Sequence, residues 1–306
     1  MRPFPVAARI EVPQALARDL ASAARALPAR DNEAYYDDAL QRAALAALAS
    51  RCTDGLAWLL EEIRLRLARR PFGATLSGLE FDAENRLFIA ICRALGPLVS
   101  KPLSKPRAQL VHYLYPDADW TSPQGHQVYT ELFHTDGADW PEPVDLLAMY
   151  CVRPDQRGEG RSRLIDMHTI RQELERQFGP TVPALLEGQP MPWLLAPEFG
   201  NEVIWRPVLG PDSLCWRRYT IELALNHAGL ELDAAAIHAL DAVEAVMAAT
   251  TSVHEWLMRH DELLLLDNRK CLHARTAISR SRPSDRLMIR AWLRRESRER
   301  GDGEAR

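Results

Sequence analysis

The chain has 306 residues, enough for one large domain or two small ones around a sizeable core. Hydrophobic residues make up 47% and charged residues 26%, ordinary values for a soluble globular protein. A formal net charge of −4 weighs against nucleic acid as a partner, because such binding rests on a basic surface.

The first residues, "MRPFPVAARIEVPQ", lack the apolar core of a signal peptide, and no apolar run approaches membrane-spanning length, so no membrane partner is expected. Residues 13–28 and roughly 36–69 are rich in Ala, Leu and Arg at helical spacing and predict a mostly helical flank over 1–72. Gly73 to Phe81 is strand-like. "AENRLFIAICRALGPLV" then predicts an amphipathic helix closed by Gly96 and Pro97. From Ala108 to about Asp166, short apolar stretches are broken by Pro, Gly and Asp: "AQLVHYLYP", "VYTELFHTD", "DLLAMYCVRP" and "SRLIDM". These predict the short strands of a sandwich or barrel.

Helical spacing returns at 167–178 and at about 232–259; strands resume with "ELLLLD" and "DRLMIRAWLRRE". Residues 296–306 form a charged tail. The five cysteines, Cys52, Cys92, Cys151, Cys215 and Cys271, are scattered, odd in number and without a C-x-x-C pair. They read as free thiols of a cytoplasmic protein, not as a disulfide frame or zinc site. With no repeat and no linker, the economical reading is a single α+β domain over 1–306: a β-core at 73–295 with a helical insert at about 212–260.

His134 and Asp136 stand two apart in a strand-like run, so imidazole and carboxylate leave the same face. That pair supplies two neighbouring ligands of a metal and needs a third from elsewhere. His273 also ends an apolar strand and is the candidate. Two histidines and a carboxylate form the facial triad of non-haem Fe(II) oxygenases. H-x-D alone is a weak signal, and the bland alternative for His273 is a core histidine bonded to a backbone carbonyl.

In "DRLMIRAWL", Arg286, Met288, Arg290 and Trp292 share one face of a strand, and Leu287, Ile289, Ala291 and Leu293 the other. Both faces are largely apolar, the mark of burial on both sides. Two buried arginines require anionic partners, and a guanidinium fork matches a carboxylate. The competing reading is an edge strand with both arginines in water.

"FHTDG" at 133–137, "LLDNRKCLHAR" at 265–275 and "DRLMIRAWL" at 285–293 together resemble the landmarks of the taurine dioxygenase (TauD/TfdA) family, including its clavaminate synthase-like members. The resemblance covers roughly 73–295. It implies a double-stranded β-helix, the cupin-like jelly roll, and a dioxygenase that uses Fe(II), 2-oxoglutarate and O2. It further implies that His134, Asp136 and His273 bind iron and that Arg286 holds the distal carboxylate of 2-oxoglutarate. Arg290 would lie near the iron, against co-substrate or substrate. Where the family has a "GGxT"-like turn, this chain has "EGRS": Ser162 keeps a hydroxyl, and Glu159 replaces a glycine. The expected outcome is hydroxylation of a small, acidic or amino-acid-like molecule, free or carrier-bound, with release of succinate and CO2. A carboxylate at Asp136 leaves no vacancy of the kind that related halogenases use for chloride.

Motif position suggests Gln109, Tyr113, Asp139, Trp140 and Arg218 as substrate contacts, with Arg217 and Tyr219 beside them. Asn268 and Arg269 are expected to fix the turn before His273, and Arg275 to form a structural ion pair. Two readings compete with the oxygenase: a metal-dependent isomerase or hydrolase on a cupin-like barrel, and a non-catalytic member of the fold.

Overall fold

The computed structural model describes residues 1–28, 30, 35, 37–100, 110–115, 131–279 and 284–295. Its centre is a seven-stranded sheet in the order Arg9–Glu11, Gly73–Ser77, Leu263–Asp267, Leu146–Arg153, Leu287–Leu293 and Leu98–Val99, with His112–Leu114 also paired to Leu287–Leu293. All its pairings are antiparallel except that of Arg9–Glu11 with Gly73–Ser77. A smaller antiparallel sheet, His254–Trp256, Ser162–Asp166 and Cys271–Arg275, faces it.

The leucine run explains the layering. Leu263 and Leu265 enter the core shared with the N-terminal helices, Gln14–Arg25, Asp38–Arg51, Thr53–Leu67 and Arg86–Leu95. Leu264 and Leu266 point the other way, into a second core with Leu164, Trp256 and Cys271 of the smaller sheet. A strand buried on both faces must be apolar at every position, which is why "LLLL" does not alternate. The smaller sheet is likewise covered outside: Ile165, Leu272 and Ala274 pack under the helices Met167–Phe178, Arg218–Ala228 and Ala234–Ala249. The result is helix, sheet, sheet, helix, with a jelly-roll interior between the two sheets.

Several elements differ from the sequence-based expectation. The helical stretch expected over roughly 36–69 is two helices, broken at Cys52, where φ is −132° and ψ 40°. The break lets Ala44 and Leu48 on one side, and Leu56, Leu59 and Ile63 on the other, reach the same core. The helix expected to about 259 is capped by Asp233, which accepts from Ala236 N–H, and ends at Ala249. His254–Trp256 beyond it is a strand, because the free edge of Ser162–Asp166 offers backbone partners that a helix would forgo. The insert is also wider than about 212–260: helices begin at Met167, and a hairpin, Met191–Leu194 with Val203–Arg206, lies within it.

Candidate metal centre

His134 and His273 meet through their backbones. His134 N–H donates to the His273 carbonyl at 3.1 Å, and His273 N–H returns a bond to the His134 carbonyl at 3.0 Å. This closed antiparallel pair sets the two imidazoles side by side, with ring centroids 4.4 Å apart. On the other flank Thr135 N–H donates to the Trp216 carbonyl, and Trp216 N–H to Thr135 Oγ1. The His134–Asp136 segment is thereby held between two neighbours.

Asp136 is held at its peptide and at its carboxylate. Asn268 Oδ1 accepts from Asp136 N–H at 2.9 Å, and Asn268 Nδ2 donates to the carbonyls of Asp136 and Val144. Gly137 follows at φ +70°, where a Cβ would lie 2.8 Å from Val144 Cγ2, so only glycine lets the chain turn away directly after the carboxylate. Trp292 Nε1–H donates to Asp136 Oδ2 at 2.7 Å, and Arg290 Nη1 lies 3.4 Å from the same oxygen. Asp136 Oδ1 is left facing His134 Nε2 at 3.5 Å and His273 Nε2 at 3.8 Å.

These three atoms could hold a metal ion. His134 Nδ1 lies 2.8 Å from the Leu132 carbonyl, an acceptor, so the ring proton sits on Nδ1 and Nε2 presents a lone pair. The carboxylate oxygen offers lone pairs as well. One potential ligand atom from each of His134, Asp136 and His273 lies within 4.8 Å of the others. Adjacent donors of an octahedral ion with ligands at roughly 2.1 Å stand about 3 Å apart. Burial favours the neutral carboxyl of Asp136, but the Arg290 charge and then the two imidazoles oppose it and hold the group well below the ordinary range. Burial, then the neighbouring His134, depresses His273 to about 3, so its imidazole is neutral and available as a ligand.

The inward faces of the two sheets bring a second group together. Ser162 and His273 share a face with Leu164, since Leu164 pairs with His273 and Ser162 with Arg275. From the opposite sheet comes Arg290, on Leu287–Leu293, and from the position just before that strand comes Arg286. Arg286 is 8% exposed, and among the described residues its guanidinium has no ion pair or hydrogen bond. Burial, then the charge of Arg275, lowers its pKa to about 10. Such a cation calls for an anion. Arg290 stacks its guanidinium 4.2 Å over the Trp292 ring. Burial lowers its pKa despite Asp136, and its Nε is buried without a partner among the described residues.

The positional candidates for substrate contact separate. Gln109 lies outside the described residues. Tyr113 pairs with Ile289, which faces the helical core, and its hydroxyl accepts from Asn85 Nδ2 at 2.7 Å, so it points away from the triad. Trp140 is core, edge-on to Trp292 at 5.3 Å. Arg218 pairs with Glu222 and Asp241 on the outer helices, and Tyr219 is 39% exposed. It is the neighbour, Arg217, whose charge bears on His273 and Arg290, with Asp139 4.0 Å away. The sequence could not choose between adjacent arginines, because the helix that starts at Arg218 sets which one turns inward. Arg275 forms the expected ion pair, with Glu131 at 3.2 Å. Asn268 and Trp292 were missed as partners of Asp136. Trp292 carried a signal, its place on the same strand face as Arg286 and Arg290; Asn268 carried none beyond its turn.

The family described as "Taurine catabolism dioxygenase TauD, TfdA family" matches residues 56–292. The chain belongs to the TauD/TfdA family. It is a non-haem iron, 2-oxoglutarate-dependent dioxygenase, and the cofactor set of the family is Fe(II), 2-oxoglutarate and O2. This decides against the isomerase or hydrolase reading. The fold agrees with solved oxygenases. Asparagine oxygenase in complex with Fe(II), 2S,3S-3-hydroxyasparagine and succinate aligns with a TM-score of 0.74 at 19% identity, over 94% of this chain and 93% of that one. The non-heme iron oxygenase OrfP in complex with Fe and alpha-ketoglutaric acid aligns at 0.69 and 18%, over 93% of each chain. OrfP with Fe, succinate and (3R,4R)-dihydroxy-L-Arg aligns at 0.68 and 19%, over 95% and 94%. No curated protein matches the sequence significantly. Among the described residues, no helix of this TauD/TfdA member is long and apolar enough to cross a membrane.

Proposed function

We propose that His134, Asp136 and His273 hold the Fe(II) of this dioxygenase, that Arg286 receives the distal carboxylate of 2-oxoglutarate, and that the product is a hydroxylated amino-acid-like molecule. One observation carries the reading: two buried groups and the half-buried His273 turn ligand atoms toward a common point, with Asp136 Oδ1 3.5 and 3.8 Å from the two imidazole nitrogens. When bound, iron with 2-oxoglutarate and O2 supplies the oxidation, and the co-substrate leaves as succinate and CO2.

The chain's own residues bind and orient. Trp292 and Arg290 keep Asp136 ionised and turned so that Oδ1 is free for the metal. Arg286, without an anionic partner among the described residues, offers a fork for a carboxylate, and Ser162 adds a hydroxyl on the facing wall. Arg290 and Arg217 leave positive potential beside the triad, which suits a substrate carboxylate. Asparagine oxygenase and OrfP are solved with hydroxylated asparagine and arginine, which supports an amino acid or close relative as the substrate. The five free cysteines, all buried, suit a reducing compartment, and we assign the enzyme to the cytoplasm.

The test is anaerobic addition of Fe(II), then 2-oxoglutarate, to metal-free protein. A weak visible charge-transfer band is expected for the wild type and none for His134→Ala; absence of the band from the wild type would refute the site. Substrate-triggered succinate release, across a panel of free amino acids and their carrier-bound thioesters, then identifies the substrate and its form.

A further inference from the structure

Among the described residues Arg286 has no counter-ion, so something else must hold its guanidinium in place. Asp155, in none of the family motifs, is 3% exposed. Its Oδ1 accepts the backbone N–H of Arg157 at 2.8 Å and of Glu159 at 3.3 Å. Its Oδ2 accepts from the Ser284 hydroxyl at 2.5 Å and from Arg157 Nη2 at 3.5 Å. Ser284 Oγ in turn accepts the backbone N–H of Arg286 at 3.3 Å. The direction of this relay is determined. An ionised carboxylate has only lone pairs, so the serine hydrogen points to Asp155 and an oxygen lone pair is left for Arg286.

One carboxylate thus joins two segments that are 129 positions apart, the turn after Asp155 and the residues that lead through Arg286 into the strand Leu287–Leu293. The same turn supplies the wall behind the guanidinium. Gly160 has φ +63°, and a Cβ there would stand 3.1 Å from Arg286 Nε and 2.9 Å from Ile278 Cδ1. Glu159, where the family turn has glycine, accepts from Ser279 N–H at 2.7 Å and fastens the turn's far side to the segment that follows His273. Any shift of the turn relative to Ser284 would move the wall and the strand that places Arg286 apart. The charge of Asp155 also works against the depression of the Arg286 pKa by burial.

We infer that Asp155 and Ser284 are positioning residues which set Arg286 for the distal carboxylate of the co-substrate. The inference rests on the proposed role of Arg286, and it makes a specific demand. The relay matters for a 2-oxo acid with a second carboxylate and is indifferent to one without it.

The experiment is an anaerobic titration of Fe(II)-loaded protein with 2-oxoglutarate and with 2-oxopentanoate, which has the same carbon chain and no distal carboxylate. Ser284→Ala removes the relay at a half-buried position and so spares the fold. Asp155→Asn reverses the polarity of the bond to Ser284. In both, the Kd for 2-oxoglutarate is expected to rise roughly tenfold, while those for 2-oxopentanoate and for Fe(II) stay at wild-type values. Ser284→Thr, which keeps the hydroxyl, restores 2-oxoglutarate binding. Unchanged affinity for 2-oxoglutarate in Ser284→Ala, or equal weakening for both 2-oxo acids, overturns the inference while leaving the oxygenase site intact. Failure of the wild type to bind 2-oxoglutarate removes the co-substrate reading, and the inference falls with it.

Discussion

Trp292→Phe isolates one hydrogen bond at the candidate metal centre. The indole Nε1–H donates to Asp136 Oδ2 at 2.7 Å, while its ring packs edge-on against Trp140 at 5.3 Å. Phenylalanine keeps an aromatic ring in the layer and removes the donor. Oδ2 is then left with Arg290 Nη1 at 3.4 Å, a long contact, and the carboxylate is freer to rotate. A hydrogen bond to a charged group contributes about 1.5–3 kcal/mol. The bond also exists without metal, so part of that loss appears as lower stability of the metal-free protein. The remainder appears as weaker ion binding, about 1.4 kcal/mol or tenfold in Kd, at the lower end of what loss of such outer partners costs. Anaerobic calorimetric titration with Fe(II), alongside thermal unfolding of metal-free protein, separates the two parts. An Fe(II) Kd within about twofold of wild type would refute the role given to Trp292.

Leu265→Ala opens a void between Ala74 and Ala148, its partners on either side, where small neighbours cannot close it. A loss of about 2–5 kcal/mol in urea unfolding is expected. Tyr113→Phe loses a hydroxyl bonded to Asn85 on the helical side, so stability falls by about 1 kcal/mol, and the KM for 2-oxoglutarate in substrate-triggered succinate release is unchanged. The buried Asp155 carboxyl is destabilised as an anion by desolvation, yet its bonds from Ser284 and from the Arg157 and Glu159 amides hold its pKa below the ordinary value. Its stabilisation is therefore complete above the unfolded value of about 4 and is lost as pH falls through the lower native value. The acid limb of Tm against pH should be shallower in Asp155→Asn than in the wild type. Parallel limbs would contradict this.

Much of the architecture was legible in local pattern. The unbroken leucines of 263–266 and the two-faced apolar strand of 287–293 both announce burial from two sides, and both lie in the larger sheet. The shared face of Arg290 and Trp292 follows from the period of a strand, although Arg286 stands just before that strand, and His134 and Asp136 lie at an isolated bridge and a turn rather than in one. These are properties of residues close in the chain, so sequence alone exposes them.

What the sequence left open depends on partners far away in the chain. His254–Trp256 is a strand because Ser162–Asp166 presents an edge to it, not because its own residues demand one. The reciprocal backbone bonds of His134 and His273 join positions with no local relation, and without that register two histidines and an aspartate are only a composition. Asn268 becomes the brace of Asp136 only when the turn after the leucine strand reaches it, and Arg217 rather than Arg218 turns inward because a helix begins between them. By itself the sequence determined which segments are strands buried on both faces and which residue types were on hand for the chemistry. The tertiary structure decided which of them meet, because convergence is set by sheet register and long-range backbone pairing, which no local propensity encodes.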